Sequence, residues 1–204
     1  MAVLIHFKIK ADKSMNTAPQ FTFRPVSDDD MLDVLDWRNQ EKVRLAMLTQ
    51  EVISLEDHKI WWAKKMQDSA YNLHILEQDG TPIAVQAFFD IKPEIAAWWA
   101  FYFTPHVSDN LLEMMKVWRQ VELSGLAYAF DVLSVDVLYC EVLRSNKGVL
   151  DWHKRFGFGI ADGSISENTS KYDLEVLFLK KEKFTKIRKG MKENPLNAVK
   201  IIAS

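Results

Sequence analysis

Three apolar stretches in close succession constrain this chain more than any other feature. Tyr71 to Glu77, Pro82 to Asp90 and Ile95 to Thr104 each have the length and the β-branched or aromatic content of a strand. Asp79-Gly80 joins the first two, a pair that suits a tight hairpin turn needing left-handed backbone at both central residues. Lys92-Pro93-Glu94 makes the second turn. An antiparallel three-stranded meander is expected, and its last strand, IAAWWAFYFT, is apolar enough to be buried on both faces.

Other elements assemble around this meander. Phe21 to Arg24 alternates as a strand, and Ser27-Asp28-Asp29-Asp30 has the spacing of a capping box with acids at the positive end of a helix dipole. That helix carries Met31, Leu32, Leu35 and Trp37 on its buried side; Ser54-Leu55-Glu56-Asp57 opens another with His58, Trp61, Trp62 and Met66. Ser108 to Leu133 is helical in pattern and long, so a break near Lys116–Glu122 is expected. Leu138 to Val142 reads as a strand and Asn146 as the N-cap of a helix carrying Val149, Leu150, Trp152, His153 and Phe156, with Gly157 ending it. Lys171 to Phe178 alternates as a final strand. The order β-α-α-β-β-β-α-β-α-β predicts an α/β (α+β) domain, a mixed, mostly antiparallel sheet flanked by helices, over 19–181. Residues 1–18 read as an N-terminal extension, a strand-like decad and a polar stretch in which Met15 is a candidate translation start. Residues 182–204 read as a basic tail, a solvated helix or extended chain.

Composition narrows the function classes. The chain has 204 residues, 48% of them apolar, enough for one well-buried domain and short for two. A net charge of −2 gives no bulk electrostatic reason to bind nucleic acid. The single cysteine, Cys140, excludes an internal disulfide framework, and no Cys/His cluster has zinc-ligand spacing, so no metal is expected. No apolar run approaches the roughly 20 residues of a membrane span. A cytoplasmic protein without membrane attachment is expected.

The element order over Phe21–Leu179 resembles the GCN5-related N-acetyltransferase (GNAT) superfamily. Trp37-Arg38-Asn39, Val43-Arg44, Met47, Ile53-Ser54, His58 and Trp61 follow a WRN…VR…M…IS…H..W pattern, and Asn146 and Gly157-Phe158 follow at the spacing of that family. The pattern is similar to the branch that acetylates amino groups on nucleotide-linked amino sugars, as in pseudaminic acid biosynthesis. The resemblance implies an acyltransferase with acetyl-CoA as co-substrate and a small-molecule acceptor, in this branch the 4-amino group of a UDP-linked amino-deoxy sugar. A homodimer is compatible with it. The same superfamily also holds acetyltransferases of protein N-termini and small amines, and a non-catalytic GNAT-fold binding protein is the third alternative. One departure separates the chain from the pattern. The glycine-rich loop that holds the CoA pyrophosphate is replaced by Thr104-Pro105-His106-Val107-Ser108-Asp109-Asn110, and no glycine follows Gly80 before Gly125.

What the resemblance implies for individual residues follows from the needs of acetyl transfer: a deprotonated amine, a polarised thioester carbonyl, a protonated leaving thiolate and both substrates held in line. The carbonyl would be polarised by a backbone N–H near Phe103. Asn146 would hold the pantetheine arm, and Lys116 and Arg119 would supply charge where the glycine loop is missing. His153 stands where the family usually has a Tyr that protonates the thiolate. An imidazole, with an ordinary pKa near 6.5, has the chemistry for that task, and packing on a helix face beside Trp152 is its structural alternative. Arg38, Asn39, Arg44 and His58 would line the acceptor side, the arginines as bidentate donors to a diphosphate or, alternatively, in ion pairs with Asp28–Asp30 or Glu41. No side chain reads as a general base.

Overall fold

The computed structural model describes residues 19–191 and 199–202. The expected N-terminal strand and Met15 lie outside the described residues. Eight strands form one sheet: β1 (Phe21–Pro25), β2 (Asn72–Gln78), β3 (Thr81–Lys92), β4 (Ala96–Phe103), β5 (Val137–Leu143), β6 (Gly159–Ile160), β7 (Leu174–Lys180) and β8 (Val199–Ile201). Their order is β6-β7-β5-β4-β3-β2-β1-β8. The β4–β5 and β1–β8 pairs are parallel and the others antiparallel, so the sheet is mixed and mostly antiparallel, as expected. The β2–β3 hairpin closes with Asp79 at φ 51° and Gly80 at φ 79°, the left-handed pair that the two residue types favour.

Helices cover both faces. On one, α1 (Met31–Asn39), the short α2 (Glu41–Arg44) and α3 (Leu55–Lys65) precede β2, with Val34, Trp37 and Trp62 packed on Leu73, Ile75 and Val85. On the other, α4 (Leu111–Ala127), α5 (Lys147–Arg155) and α6 (Lys181–Met191) bring Val117, Val121, Leu150 and Phe184 onto Phe23, Phe88, Trp99, Leu138 and Leu177. The alternation Ile75 to one core, Leu76 to the other, follows from the two-residue period of a strand.

Three expectations are corrected. Helix α4 runs unbroken from Leu111 to Ala127 and passes into a π-helical turn at Tyr128–Val132, because no proline or capping residue interrupts Lys116–Glu122. The last long strand starts at Leu174, since Lys171 and Tyr172 still donate backbone N–H groups to the carbonyl of Asn168 in a preceding helical turn. The basic segment after residue 181 carries an apolar anchor: Phe184 is buried and stacks on Phe130 at 5.1 Å, and Val199–Ile201 pairs with β1.

His74 on β2 is fully buried, 4.7 Å from the ring of Phe23 and 4.2 Å from that of Tyr128. Neither nitrogen has a hydrogen-bond partner among the described residues. Burial without a partner disfavours the charged ring and holds its pKa down to about 4. The unfolded chain takes up this proton below about pH 6.5, whereas the folded chain refuses it until about pH 4. Stability from this group is therefore complete above pH 6.5 and lost as pH falls towards 4, by about 3 kcal/mol in all. His74→Phe is expected to flatten that part of the urea-denaturation profile; an identical pH profile for both proteins would show that His74 is not held neutral.

Candidate active site

The sheet opens where β4 and β5 part. The two strands pair only from Ala96–Val137 to Trp98–Tyr139. Ile95 accepts a hydrogen bond from Val137 N–H at 3.1 Å, and at the far end Thr104 donates its N–H to Ile83 of β3 at 3.1 Å. Peptide groups of alternate residues point to opposite edges of a strand, so both bonds set the same phase. Trp99, Phe101 and Phe103 aim their N–H and C=O at the β5 side, where Phe101 and Phe103 have no paired strand facing them. A row of unsatisfied backbone groups beside an opening is a template for an extended, amide-bearing ligand.

A cavity of about 340 Å³ fills this opening. Trp99, Phe101 and Phe103 form one wall with Trp118 and Met114 of α4; Cys140, Glu141 and Val142 of β5 form the opposite wall, with Asn146, Val149 and His153 behind it. Lys42, Val43, Ala46 and Met47 rim the side towards α1–α3. The indole N–H of Trp118 is buried and has no partner among the described residues.

Three buried groups meet at the α4 side of the cavity. His153 is 2% exposed and Glu122 fully buried, and His153 Nδ1 lies 2.9 Å from Glu122 Oε1. An ionised carboxylate only accepts, so Nδ1 carries a proton. Burial opposes the charged ring, but the Glu122 carboxylate and the adjacent Cys140 sulfur outweigh it and hold the imidazole pKa well above its ordinary value. The end of α5 fixes the ring's backbone. Gly157, at φ 94°, gives the helix a left-handed exit, with Gly157 N–H bonded to Lys154 C=O and Phe158 N–H bonded to His153 C=O. On β5, Glu141 points to the opposite face and accepts from the Ser166 hydroxyl and from Asn168 Nδ2 at 2.9 Å.

No family model matches the sequence, and no curated protein matches it. Solved structures match well. A spermidine N-acetyltransferase from Vibrio cholerae, in complex with CoA and spermine, superposes with a TM-score of 0.69 at 15% identity, covering 81% of this chain and 98% of that one. The N-acetyltransferase PseH of Campylobacter jejuni gives 0.58 at 20% identity over 79% and 99% of the two chains. An uncharacterized Bacillus halodurans protein gives 0.70 at 18% identity over 86% and 92%.

The fold is the GNAT fold. Of the residues that the GNAT resemblance marks, Phe103, Asn146 and His153 meet at the cavity. Asn146 occupies the N-cap position of α5 and lines the cavity, and its side chain makes no capping bond. Lys116 and Arg119 lie on the solvent side of α4 outside the cavity, and Lys116 is paired with Glu113 at 2.8 Å.

The four residues expected on the acceptor side make hydrogen bonds within the protein. Arg38 donates to Thr49 C=O at 2.9 Å, and Arg44 donates to the carbonyls of Asn39 and Gln50. Asn39 clamps Ile53 twice, at 2.8 and 2.9 Å, and His58 Nε2 binds Met31 C=O at 2.9 Å. None of the four lines the cavity, and neither arginine makes the ion pair considered as its alternative; they shape the 45–54 loop beside the rim that Lys42, Ala46 and Met47 form. Arg38 Nη1 alone among these groups is buried without a partner among the described residues.

At the N-terminus of α4, where the GNAT pattern holds pyrophosphate, Asn110 Oδ1 accepts from Leu112 and Glu113 N–H at 3.0 and 3.3 Å. Asp109 and Glu113 add negative charge there. Glu122, Cys140 and Lys42 escape the sequence reading. Glu122 did leave a signal, a lone carboxylate between Val121 and Leu123 in the apolar half of α4. Among the described residues, no His/Cys/Asp/Glu group has metal-binding geometry, and no helix is long and apolar enough to cross a membrane.

Proposed function

We propose that this chain transfers an acetyl group from acetyl-CoA to the primary amine of a small molecule. The observation that carries this is the unpaired β4 edge at Phe101 and Phe103, facing a cavity that also holds Asn146 and His153. The pantetheine arm is amide-bearing and extended, so it matches that edge and the Asn146 side chain. The amine nitrogen attacks the thioester carbonyl carbon, whose developing oxyanion takes a hydrogen bond from a β4 N–H. The C–S bond breaks, the leaving thiolate takes a proton from His153, and the amine gives its own proton to water. With the α4 N-terminus capped by Asn110, more of the donor's affinity rests on the pantetheine than on the pyrophosphate.

For the acceptor we favour the 4-amino group of a UDP-linked amino-deoxy sugar. The likeness to PseH, the apolar rim of Val43, Ala46 and Met47 for a deoxy-sugar methyl, and the cation Lys42 for a diphosphate support it. Asp109 at the same cavity favours a second reading, a polycationic amine. Thiol release from acetyl-CoA, measured against UDP-amino sugars, polyamines and peptide N-termini, separates them. Turnover with the sugar nucleotides alone is expected. Turnover only with polyamines or peptides would replace the acceptor, and none with any amine would leave a GNAT-fold binding protein. A cytoplasmic location belongs to this reading.

A further inference from the structure

A buried carboxylate with one satisfied oxygen is a poor way to stabilise a domain. Glu122 is fully buried, its Oε1 bonds His153 and its Oε2 has no partner among the described residues. Desolvating such a pair costs about as much as the pairing returns, so stability alone gives no reason for a carboxylate here. The pair instead touches the cavity: His153 lines it, and Glu122 sits behind the ring. We propose that Glu122 is the positioning residue that keeps His153 doubly protonated and turned so that Nε2 faces the leaving thiolate.

The chemistry requires that state. In a neutral imidazole whose Nδ1 proton is committed to Glu122, Nε2 is an acceptor and has nothing to give a thiolate. Only the imidazolium carries a second proton on Nε2. With it, the C–S bond breaks, the sulfur takes the Nε2 proton and His153 is left neutral, to regain a proton from solvent. Geometry holds the ring for this: Trp99 meets it edge-on at 5.4 Å, Phe101 edge-on at 5.9 Å, and Phe158 closes from 4.9 Å. The titratable groups facing it are Glu122 from α4 and Cys140 from β5; β4 brings only aromatic rings.

This inference rests on the acetyl-transfer reading, so the test has one arm that needs no substrate. Nitrogen–proton NMR of the His153 ring in the apo protein is expected to show both nitrogens protonated at pH 7.5 in the wild type and one in Glu122→Gln, which keeps the side-chain volume. In the kinetic arm, the ratio of Glu122→Gln to wild-type kcat for thiol release is expected to fall at least tenfold from pH 6 to pH 8.5, since one unit of imidazolium pKa is a tenfold change. KM for acetyl-CoA is expected to stay within about threefold, and Glu122→Asp to recover part of the alkaline activity. Dividing by the wild type removes the amine's own titration. A neutral His153 in the wild type, or a pH-independent ratio, would overturn the role of Glu122. Absence of thiol release by the wild type would instead count against the acetyl-transfer reading, with the NMR arm still deciding the state of the pair.

Discussion

Replacing His153 with Phe is expected to lower kcat for acetyl transfer by about 10²–10⁴-fold, the range that one positioned acid supplies. On the proposed reading acetyl-CoA affinity changes far less, because the donor would be held by β4 backbone groups and the Asn146 amide, which the substitution leaves in place. The same change strands the Glu122 carboxylate at a fully buried position. Breaking a buried pair from one side costs about 3–5 kcal/mol, whereas replacing both members by apolar residues is neutral or better. His153→Phe with Glu122→Leu should therefore recover the stability lost by the single variant and none of its activity. That split, read by urea denaturation beside thiol release, separates a catalytic His153 from one that only packs. Equal turnover in the single variant would remove His153 from the mechanism.

Gly125→Ala is expected to be the most damaging single-methyl change in α4. A Cβ there would lie 2.7 Å from Gln86 Oε1 and 2.8 Å from the Trp99 ring. Neither neighbour can yield. Gln86 is fully buried and donates to Val121 C=O and to the Ser124 hydroxyl while accepting from Trp99 Nε1, and Trp99 is 1% exposed. Overpacking of this kind costs about 1–3 kcal/mol, enough to outweigh the roughly 1 kcal/mol that Ala gains over Gly in a helix. For a chain of this size each kcal/mol lowers Tm by about 2–4 °C. Gly148→Ala in α5 is the control, since its Cβ would meet only Trp118, at 4.0 Å. That variant should hold or raise Tm. Because Trp99 also packs on His153, activity in Gly125→Ala should fall along with stability. A Gly125→Ala protein as stable as the wild type would show that α4 sits further from the sheet.

How much of this was legible in the sequence depends on the range of the interaction. Asp79-Gly80 and the apolar runs on either side of it are local, and the meander formed as they dictated. Gly157 ended α5 for an equally local reason. The opening between β4 and β5 is set by where a long-range pairing stops, and Phe101 and Phe103 contribute backbone groups that carry no side-chain signature. Glu122 was visible as a charge in an apolar run, but its partner lies 31 residues away on another helix. Arg38, Asn39, Arg44 and His58 have the chemistry of ligands, and only the path of the 45–54 loop shows that backbone carbonyls take them up. The β1–β8 pair joins the two ends of the described chain, beyond the reach of any local pattern.

The most direct test of the cleft between β4 and β5 is a calorimetric titration of the protein with acetyl-CoA, alongside the same titration of an Asn146→Ala variant. Saturable one-to-one binding by the wild type, weakened in the variant by the loss of a hydrogen-bonding partner, is expected. No heat of binding with millimolar acetyl-CoA, or binding that Asn146→Ala leaves unchanged, would contradict the assignment of this cleft as the acetyl-CoA site.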